Sequence, residues 1–210
     1  MALKGIQAVI YGEVLEELEA ARMKVQKGNT DDAKGAPHNM DEAWAYYAGA
    51  ADATGDRPYS LSSTARKRER DFNIVGKLDS GIQSALSRAL AASRAGDAQK
   101  LARGADEARG YINTIFYLAS LRYAARLAND TDAKVKEIHL AEGWAFFQTI
   151  RAAVGSADSK AAQVVEEVYS RTPAQPVTQK DAEAVYKALN GPAVRTSLGI
   201  PAGFVVQRPG

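Results

Sequence analysis

Apolar residues recur at three- to four-residue spacing along most of the chain, the spacing that an α-helix needs to bury one face. The pattern predicts a helix over 6–27, ended at Gly28, and an aromatic-rich helix over about 39–53, after a break at Pro37. Five more helices are predicted over about 61–96 (interrupted near Gly76 to Gly81), 98–128, 133–154, 157–170 and 178–190. The last twenty residues, 191–210, contain three prolines and four glycines and are predicted to form an irregular arm.

Composition strengthens the helical prediction and removes several classes of chemistry. The chain of 210 residues contains 40 alanines, and alanine is the best helix former and a poor strand residue, so we expect an all-α fold. The chain has no cysteine, which excludes disulfides, thiolate metal sites and a cysteine nucleophile. A net charge of +2 gives no electrostatic case for binding nucleic acid or an anionic membrane.

Membrane and targeting segments are not predicted. No apolar run approaches the roughly 18 residues of a membrane span. Residues 1–14 contain one lysine, no long apolar stretch and no small-residue cleavage site, so they are not expected to be a signal peptide.

A short pattern occurs twice in the chain, at an offset of 100 residues. The matching pairs are 31–34 with 131–134 and 41–47 with 141–147, and residues 5–11 resemble 110–116. We therefore predict a single all-helical domain over 1–210, a bundle of two related repeats at about 5–96 and 97–170. Each repeat would contain a long helix, an Asp-rich turn and an aromatic helix.

The two histidines occupy similar places in the two repeats, since each precedes a tryptophan by five or six residues. Both are predicted at the start of an aromatic helix, with a carboxylate one turn on. The pairs are His38 with Glu42 (i, i+4) and His139 with Glu142 (i, i+3). Imidazole with carboxylates is a ligand set suited to iron, manganese or zinc. A histidine and a glutamate near a helix start are also ordinary surface or capping residues, so both interpretations stay open.

Two further carboxylates lie on the apolar stripe of the first helix. Glu13 and Glu17 fall on that stripe, whereas Glu16 and Glu19 can face solvent. A carboxylate on a buried face needs a cation or hydrogen-bond partners, and a metal, an arginine or a tyrosine could each supply them. The matching helix of the second repeat has no acidic residue between positions 107 and 130, so a symmetric di-iron site of the ferritin kind is not supported.

The remaining motifs are predicted to be structural. The aromatic clusters 44–47 and 144–147 are expected to pack in the core. The mixed-sign run 66–71 is expected to form a solvated, salt-bridged helix face. The chain contains no phosphate loop, dinucleotide fingerprint or GxSxG elbow.

The residues around the first aromatic helix resemble a known family. The segment 41–49, DEAWAYYAG, resembles the repeated signature of algal iron-assimilation proteins, also called high-carbon-dioxide-inducible extracellular (periplasmic) proteins. Segments 6–10, 59–72 and 142–147 extend the resemblance over about 5–155. It implies secretion to the periplasmic space or cell surface and a role in concentrating iron for uptake. Family members carry cysteines near the position of Glu69, and this chain has none.

These observations lead to the hypothesis of an extracellular or periplasmic iron-binding protein without turnover chemistry, with ferric iron favoured because the expected ligands are rich in oxygen. A cell-surface uptake protein is the expected partner besides the metal ion. The alternatives are a structural or partner-binding helical module without metal and, less favoured, a ferroxidase. The predicted metal ligands are Glu13, Glu17, His38, Glu42, His139 and Glu142.

Overall fold

The computed structural model describes residues 2–202 and 204, with residues 2–4 described by their backbone alone. All regular secondary structure in these residues is helical, which confirms the all-α fold. No helix in this part of the chain is long and apolar enough to span a membrane. The helices are α1 (Ala2–Gln26), α2 (Ala36–Ala48), α3 (Leu61–Asp71), α4 (Leu78–Arg94), α5 (Ala98–Leu127), α6 (Ala133–Ala157), α7 (Ser159–Tyr169), α8 (Gln179–Leu189) and α9 (Pro192–Leu198).

The chain divides into two compact units. The first unit is Ile6–Ile112, and the second comprises the described parts of Met1–Gly5 and Asn113–Gly210. Their boundary falls inside α5, whereas the predicted repeats meet at 96–97. The single domain with an internal repeat therefore stays a prediction.

The core of the first unit is formed by helix faces with the predicted spacing. Buried side chains recur every three or four residues along each helix because that spacing keeps them on one face. They include Val14, Leu18 and Ala21 of α1, Met40, Ala43 and Tyr47 of α2, and Leu78, Ile82 and Leu86 of α4. Burial raises the pKa of Tyr47, whose hydroxyl donates to Asp79.

The core of the second unit is built around the C-terminal half of α5. Phe146 of α6 lies 6.1 Å from Phe116 and 5.8 Å from Tyr123, measured between ring centroids. Gly143 of α6 lets the ring of Tyr169 of α7 approach the helix closely, since a Cβ at position 143 would lie 2.1 Å from Cε1 of Tyr169. The buried Tyr169 hydroxyl donates to the carbonyl of Ser120, and burial raises the pKa of Tyr169.

Two of the differences between the predicted boundaries and the structure involve proline. Pro37 lies in the first turn of α2, where its missing N–H costs nothing, so the helix begins at Ala36 instead of following a break. The predicted irregular arm contains α9, which has Pro192 in its first turn and ends at Gly199 in the left-handed conformation (φ 66°), so the arm prediction is wrong there. Residues 203 and 205–210 of that arm lie outside the described residues.

The core prediction for the aromatic clusters is correct only in part. Tyr47, Phe146 and Phe147 are buried, but Tyr46 is 39% exposed and Trp144 is 36% exposed. Each residue advances about 100° around a helix, so three aromatic residues within four positions cannot all face one core.

The solvated-face prediction for the run 66–71 is wrong for two of its residues, because Arg68 and Glu69 are buried. The Glu69 carboxylate accepts hydrogen bonds from the backbone N–H groups of Leu78 and Asp79, at 2.6 and 2.9 Å. It thereby satisfies the first turn of α4, while Arg68 pairs with Asp71 at 2.8 Å.

Candidate metal-binding residues

His38 lies near the start of α2, as predicted, and its side chain is partly exposed. It is the third residue of the helix, after Ala36 and Pro37. Its Nε2 lies 3.5 Å from Oε1 of Glu42, and the side chains of both residues are more than 40% exposed. The predicted pairing of His38 with Glu42 is therefore present as an open, solvent-accessible contact.

The predicted orientation of the acidic residues on α1 is correct. Glu13 and Glu17 are partly buried, whereas Glu16 and Glu19 are exposed. Oε2 of Glu17 accepts a hydrogen bond from Nδ2 of Asn39 at 2.5 Å, and Asn39 is only 7% exposed. This bond ties the acidic face of α1 to the first turns of α2.

Tyr46, which the sequence analysis placed in the core, lies among these carboxylates instead. It follows Glu42 by one turn of α2 and is 39% exposed. Its pKa is raised chiefly by the negative charge of Glu13, then by partial burial and by the charges of Glu17, Glu42 and Glu16. We call the surface formed by these residues the α1–α2 face. It comprises Glu13, Glu16 and Glu17 of α1 and His38, Glu42 and Tyr46 of α2.

His139 lies in a different environment in the second unit. Asp132 caps α6 by accepting from the N–H of Val135 at 3.0 Å, so the helix begins at Ala133 and His139 lies in its second turn. The prediction of a helix-start position is therefore wrong for His139. Its Nδ1 lies 2.7 Å from Oδ2 of Asp130, and the two side chains are 13% and 14% exposed. The sequence analysis missed Asp130 as a partner, although it belongs to the Asp-rich turn.

Glu142 also has a partner within the second unit. It accepts a hydrogen bond from the hydroxyl of Tyr123, whose ring centroid lies 5.4 Å from that of His139. Glu142 and His139 thus share one region of α6, but each is held by a residue from outside α6.

The six predicted ligands are distributed over both units. Glu13, Glu17, His38 and Glu42 belong to the first unit, and His139 and Glu142 to the second. Within residues 2–202 and 204, no three His, Cys, Asp or Glu side chains are arranged to hold a metal ion. The ligand set therefore stays a hypothesis.

The fold and these residues define an all-α protein that carries an acidic surface with an exposed tyrosine and histidine. A family model described as low iron-inducible periplasmic protein matches residues 1–159, and the chain belongs to this family. The match confirms the iron-assimilation resemblance and the periplasmic or extracellular location. Searches of curated proteins and of solved structures found no match.

Proposed function

We propose that the protein binds iron in the periplasmic space or at the cell surface and concentrates it for uptake, without turnover chemistry. Membership in a family named for its induction at low iron supports an iron-related role. The observation that carries the proposal is the hydrogen bond of 2.5 Å that joins Glu17 of α1 to Asn39 of α2, beside the partly exposed pair His38 and Glu42.

The chemistry of the α1–α2 face suits a hard cation. Carboxylate oxygens are the donors that such cations prefer, and an imidazole beside them favours a transition metal over calcium. Glu13 and Glu17 are one turn apart on α1, as are His38 and Glu42 on α2, so each helix can offer two donors from one face. The partly exposed side chains of His38 and Glu42 can change rotamer around an arriving ion without unfolding α2.

His139 and Glu142 form the second part of the proposed ligand set. A metal-ligating histidine commonly gives its other ring N–H to a carboxylate, which orients the ring. Asp130 contacts Nδ1 of His139 in this way, which makes Nε2 the nitrogen to assign to a metal. The residues of each unit are proposed to bind metal independently, so they can be tested separately.

Elemental analysis tests the proposal. Protein is incubated with ferric citrate, with cobalt and zinc as control metals, and then desalted. We expect about one or more irons per chain, reduced in a Glu13→Gln/Glu17→Gln variant and in the double variant His38→Ala/His139→Ala. The matched control is Glu19→Gln, which removes a carboxylate of α1 that is 62% exposed and lies outside the α1–α2 face. No retained metal in the unmodified protein would overturn the proposal.

The absence of turnover is tested separately with ferrous ion. We expect no catalytic oxygen consumption, because the proposed role is to bind and concentrate iron. Oxygen uptake through several turnovers per chain would instead establish a ferroxidase.

An uptake partner is the second part of the proposed role, and one region of the second unit favours it. Val135 and Ile138, which are three residues apart on one face of α6, are 38% and 56% exposed. Neighbouring apolar side chains at a surface can mark a site where a protein partner binds. Replacing Ile138 with Ser should weaken binding to isolated cell-surface fractions without changing the iron retained per chain.

A further inference from the structure

A groove lined in part by a tryptophan lies between α2 and α4 in the first unit. It has a volume of about 740 Å³, and Asp41, Trp44 and Ala48 line it from one face of α2, at i, i+3 and i+7. Ser87 and Leu90 line it from α4, one turn apart. These positions of α2 point in a different direction from those of the α1–α2 face, so the groove is a separate feature of the first unit.

Trp44 gives the groove an aromatic surface. The sequence analysis placed this residue in the core, but it is only partly buried, because Ala43 and Tyr47 occupy the core-facing side of α2. Its indole presents a flat ring and one N–H donor, and Ala48 and Leu90 add aliphatic surface. Ligand sites of about 300–1,000 Å³ commonly combine such apolar surface with a few polar groups that fix the orientation of the ligand.

The polar groups of the groove include donors, acceptors and one charge of each sign. The side chain of Asp41 is 54% exposed, and its Oδ2 lies 3.9 Å from Nη2 of Arg94, which is too far for a hydrogen bond, so it can accept from a ligand. Arg57 donates from Nη1 to the carbonyl of Gly49, and a guanidinium has further N–H groups to offer. The opposite charges of Asp41 and Arg57 offset each other, which suits a neutral ligand better than an ion.

The loop that carries Arg57 is held against the end of α2. Gly49 follows the helix at φ 72°, and a Cβ there would lie 2.7 Å from Cβ of Ser60, so glycine lets the returning chain approach closely. Asp52 accepts hydrogen bonds from two backbone N–H groups of the same loop, at 2.8 and 3.0 Å. The guanidinium is therefore positioned by contacts within the protein, which lowers the cost of ordering it around a ligand.

A hexose ring matches this combination of groups. Its C–H groups form an apolar face that can pack on an aromatic ring, its hydroxyls both donate and accept hydrogen bonds, and it carries no charge. We propose that the groove binds a neutral hexose saccharide, with a sugar ring stacked on Trp44 and hydroxyls hydrogen-bonded to Asp41 and Arg57. The periplasmic or extracellular location brings the protein to cell-surface polysaccharide, where this ligand occurs. The inference is independent of iron binding.

Tryptophan fluorescence provides a direct test, because the chain has two tryptophans and they belong to different units. Trp144→Phe leaves Trp44 as the reporter, and Trp44→Phe leaves Trp144 as the matched control. Iron-free samples of both variants and of the unmodified protein are titrated with cellohexaose, mannohexaose and maltohexaose, and with glucose and mannose. Calorimetry gives the affinities without relying on either tryptophan, and circular dichroism verifies that the helices remain.

We expect at least one saccharide to change the emission of Trp44 and to leave the emission of Trp144 unchanged. Trp44→Ala should weaken binding by about tenfold or more, since a tryptophan at the centre of a contact is commonly worth that much. Tighter binding of a hexasaccharide than of its monosaccharide would assign the ligand to a polysaccharide chain, whereas equal binding would assign it to free sugar.

Two aspartates provide a control for charge. Asp32 and Asp41 both lie near Arg94, at 3.0 and 3.9 Å, but only Asp41 lines the groove. Asp41→Ala should weaken binding, and Asp32→Ala should leave it unchanged. Failure of all five saccharides to bind, or binding that survives Trp44→Ala, would overturn the inference. Because every titration uses iron-free protein, that failure would leave the proposed iron binding standing.

Discussion

The helices α2 and α6 share a sequence pattern, yet their histidines have different surroundings. His38 is open to solvent, 3.5 Å from Glu42, whereas His139 is mostly enclosed, 2.7 Å from Asp130. The difference follows from where each helix begins, since α2 starts two residues before its histidine and α6 starts six residues before. A similar motif thus leaves the imidazole of His38 accessible to solvent in the first unit, whereas in the second unit Asp130 orients and shields the imidazole of His139.

The aromatic positions of these helices differ in the same way. Phe146 matches Tyr46 at the offset of 100, but Phe146 is 1% exposed and packs in the core of the second unit. The α1–α2 face is consequently a property of the first unit alone. Similarity between two segments of a chain therefore does not transfer a functional surface from one to the other.

The largest expected effect tests this aromatic comparison. Phe146→Ala should lower the free energy of unfolding by about 3–5 kcal/mol, because it leaves a cavity among buried rings. Tyr46→Ala should cost about 1 kcal/mol or less, because its ring is partly in water already. Urea unfolding followed by circular dichroism measures both. Equal losses would show that Tyr46 is a core residue and would remove the basis for an accessible phenol.

A second comparison concerns the residue that precedes each tryptophan. Gly143→Ala places a methyl group against the ring of Tyr169 and should cost about 1–3 kcal/mol, because that ring is buried and cannot retreat freely. In the first unit the matching residue is the buried Ala43, and Ala43→Gly should cost about 1 kcal/mol through lost helix propensity and packing. Thermal unfolding ranks the two variants. A neutral or stabilising Gly143→Ala would contradict the close approach of Tyr169 to α6.

The third prediction separates the two histidine pairs. Asp130→Asn should destabilise the protein by about 1–2 kcal/mol, because it replaces a carboxylate that is largely shielded from water at His139. Glu42→Gln should change stability by about 0.5 kcal/mol or less, since its contact with His38 is exposed. Chemical unfolding at pH 7 measures both. A larger loss of stability for Glu42→Gln than for Asp130→Asn would show that the pair of His38 and Glu42, not the pair of His139 and Asp130, is the one shielded from water.

The smallest effects concern the N-terminal turns of two helices, α8 in the second unit and α3 in the first, and differ in their dependence on pH. In the second unit Arg171 contacts both carboxylate oxygens of Asp181 at 2.8 Å and holds the pKa of Asp181 well below its usual range. The folded state therefore binds this proton less tightly than the unfolded state. The stabilisation is fully present above the unfolded pKa of about 4 and is lost as the pH falls below it.

Asp181→Asn should accordingly cost about 1 kcal/mol at pH 7 and less in acid. In the first unit, Ser60 caps α3 with an uncharged hydroxyl that accepts from the N–H of Ser63 at 2.9 Å. Ser60→Ala should also cost about 1 kcal/mol, but equally at both pH values. Urea unfolding at pH 7 and at acid pH provides the measurement. A pH-independent cost of Asp181→Asn would show that its contact with Arg171 contributes nothing.

Much of the helical framework could be predicted from the sequence, because its signals are local. Alanine-rich stretches with apolar residues at three- to four-residue spacing predicted all helices except α9. The same spacing correctly placed Glu13 and Glu17 toward the interior side of α1 and Glu16 and Glu19 toward solvent. These results depend only on the geometry of one helix and on residue propensity.

The candidate site was predictable only in part, because its remaining members depend on how helices meet. The sequence pointed to His38 and Glu42 but not to Tyr46, since two adjacent tyrosines look alike until a neighbouring helix covers one of them. Asp130 and His139 are nine residues apart and belong to a turn and a helix, so no spacing rule pairs them. The burial of Glu69 likewise depends on the start of α4.

The sequence by itself determined that the chain is helical, where most helices begin and end, and which face of α1 carries the half-buried carboxylates. It also contained the family signature, because that signature is a run of consecutive residues. Only the tertiary structure decided which phenol and which imidazole remain accessible. Accessibility depends on contacts between residues far apart in the chain, and the periodicity of a single helix carries no information about its neighbours.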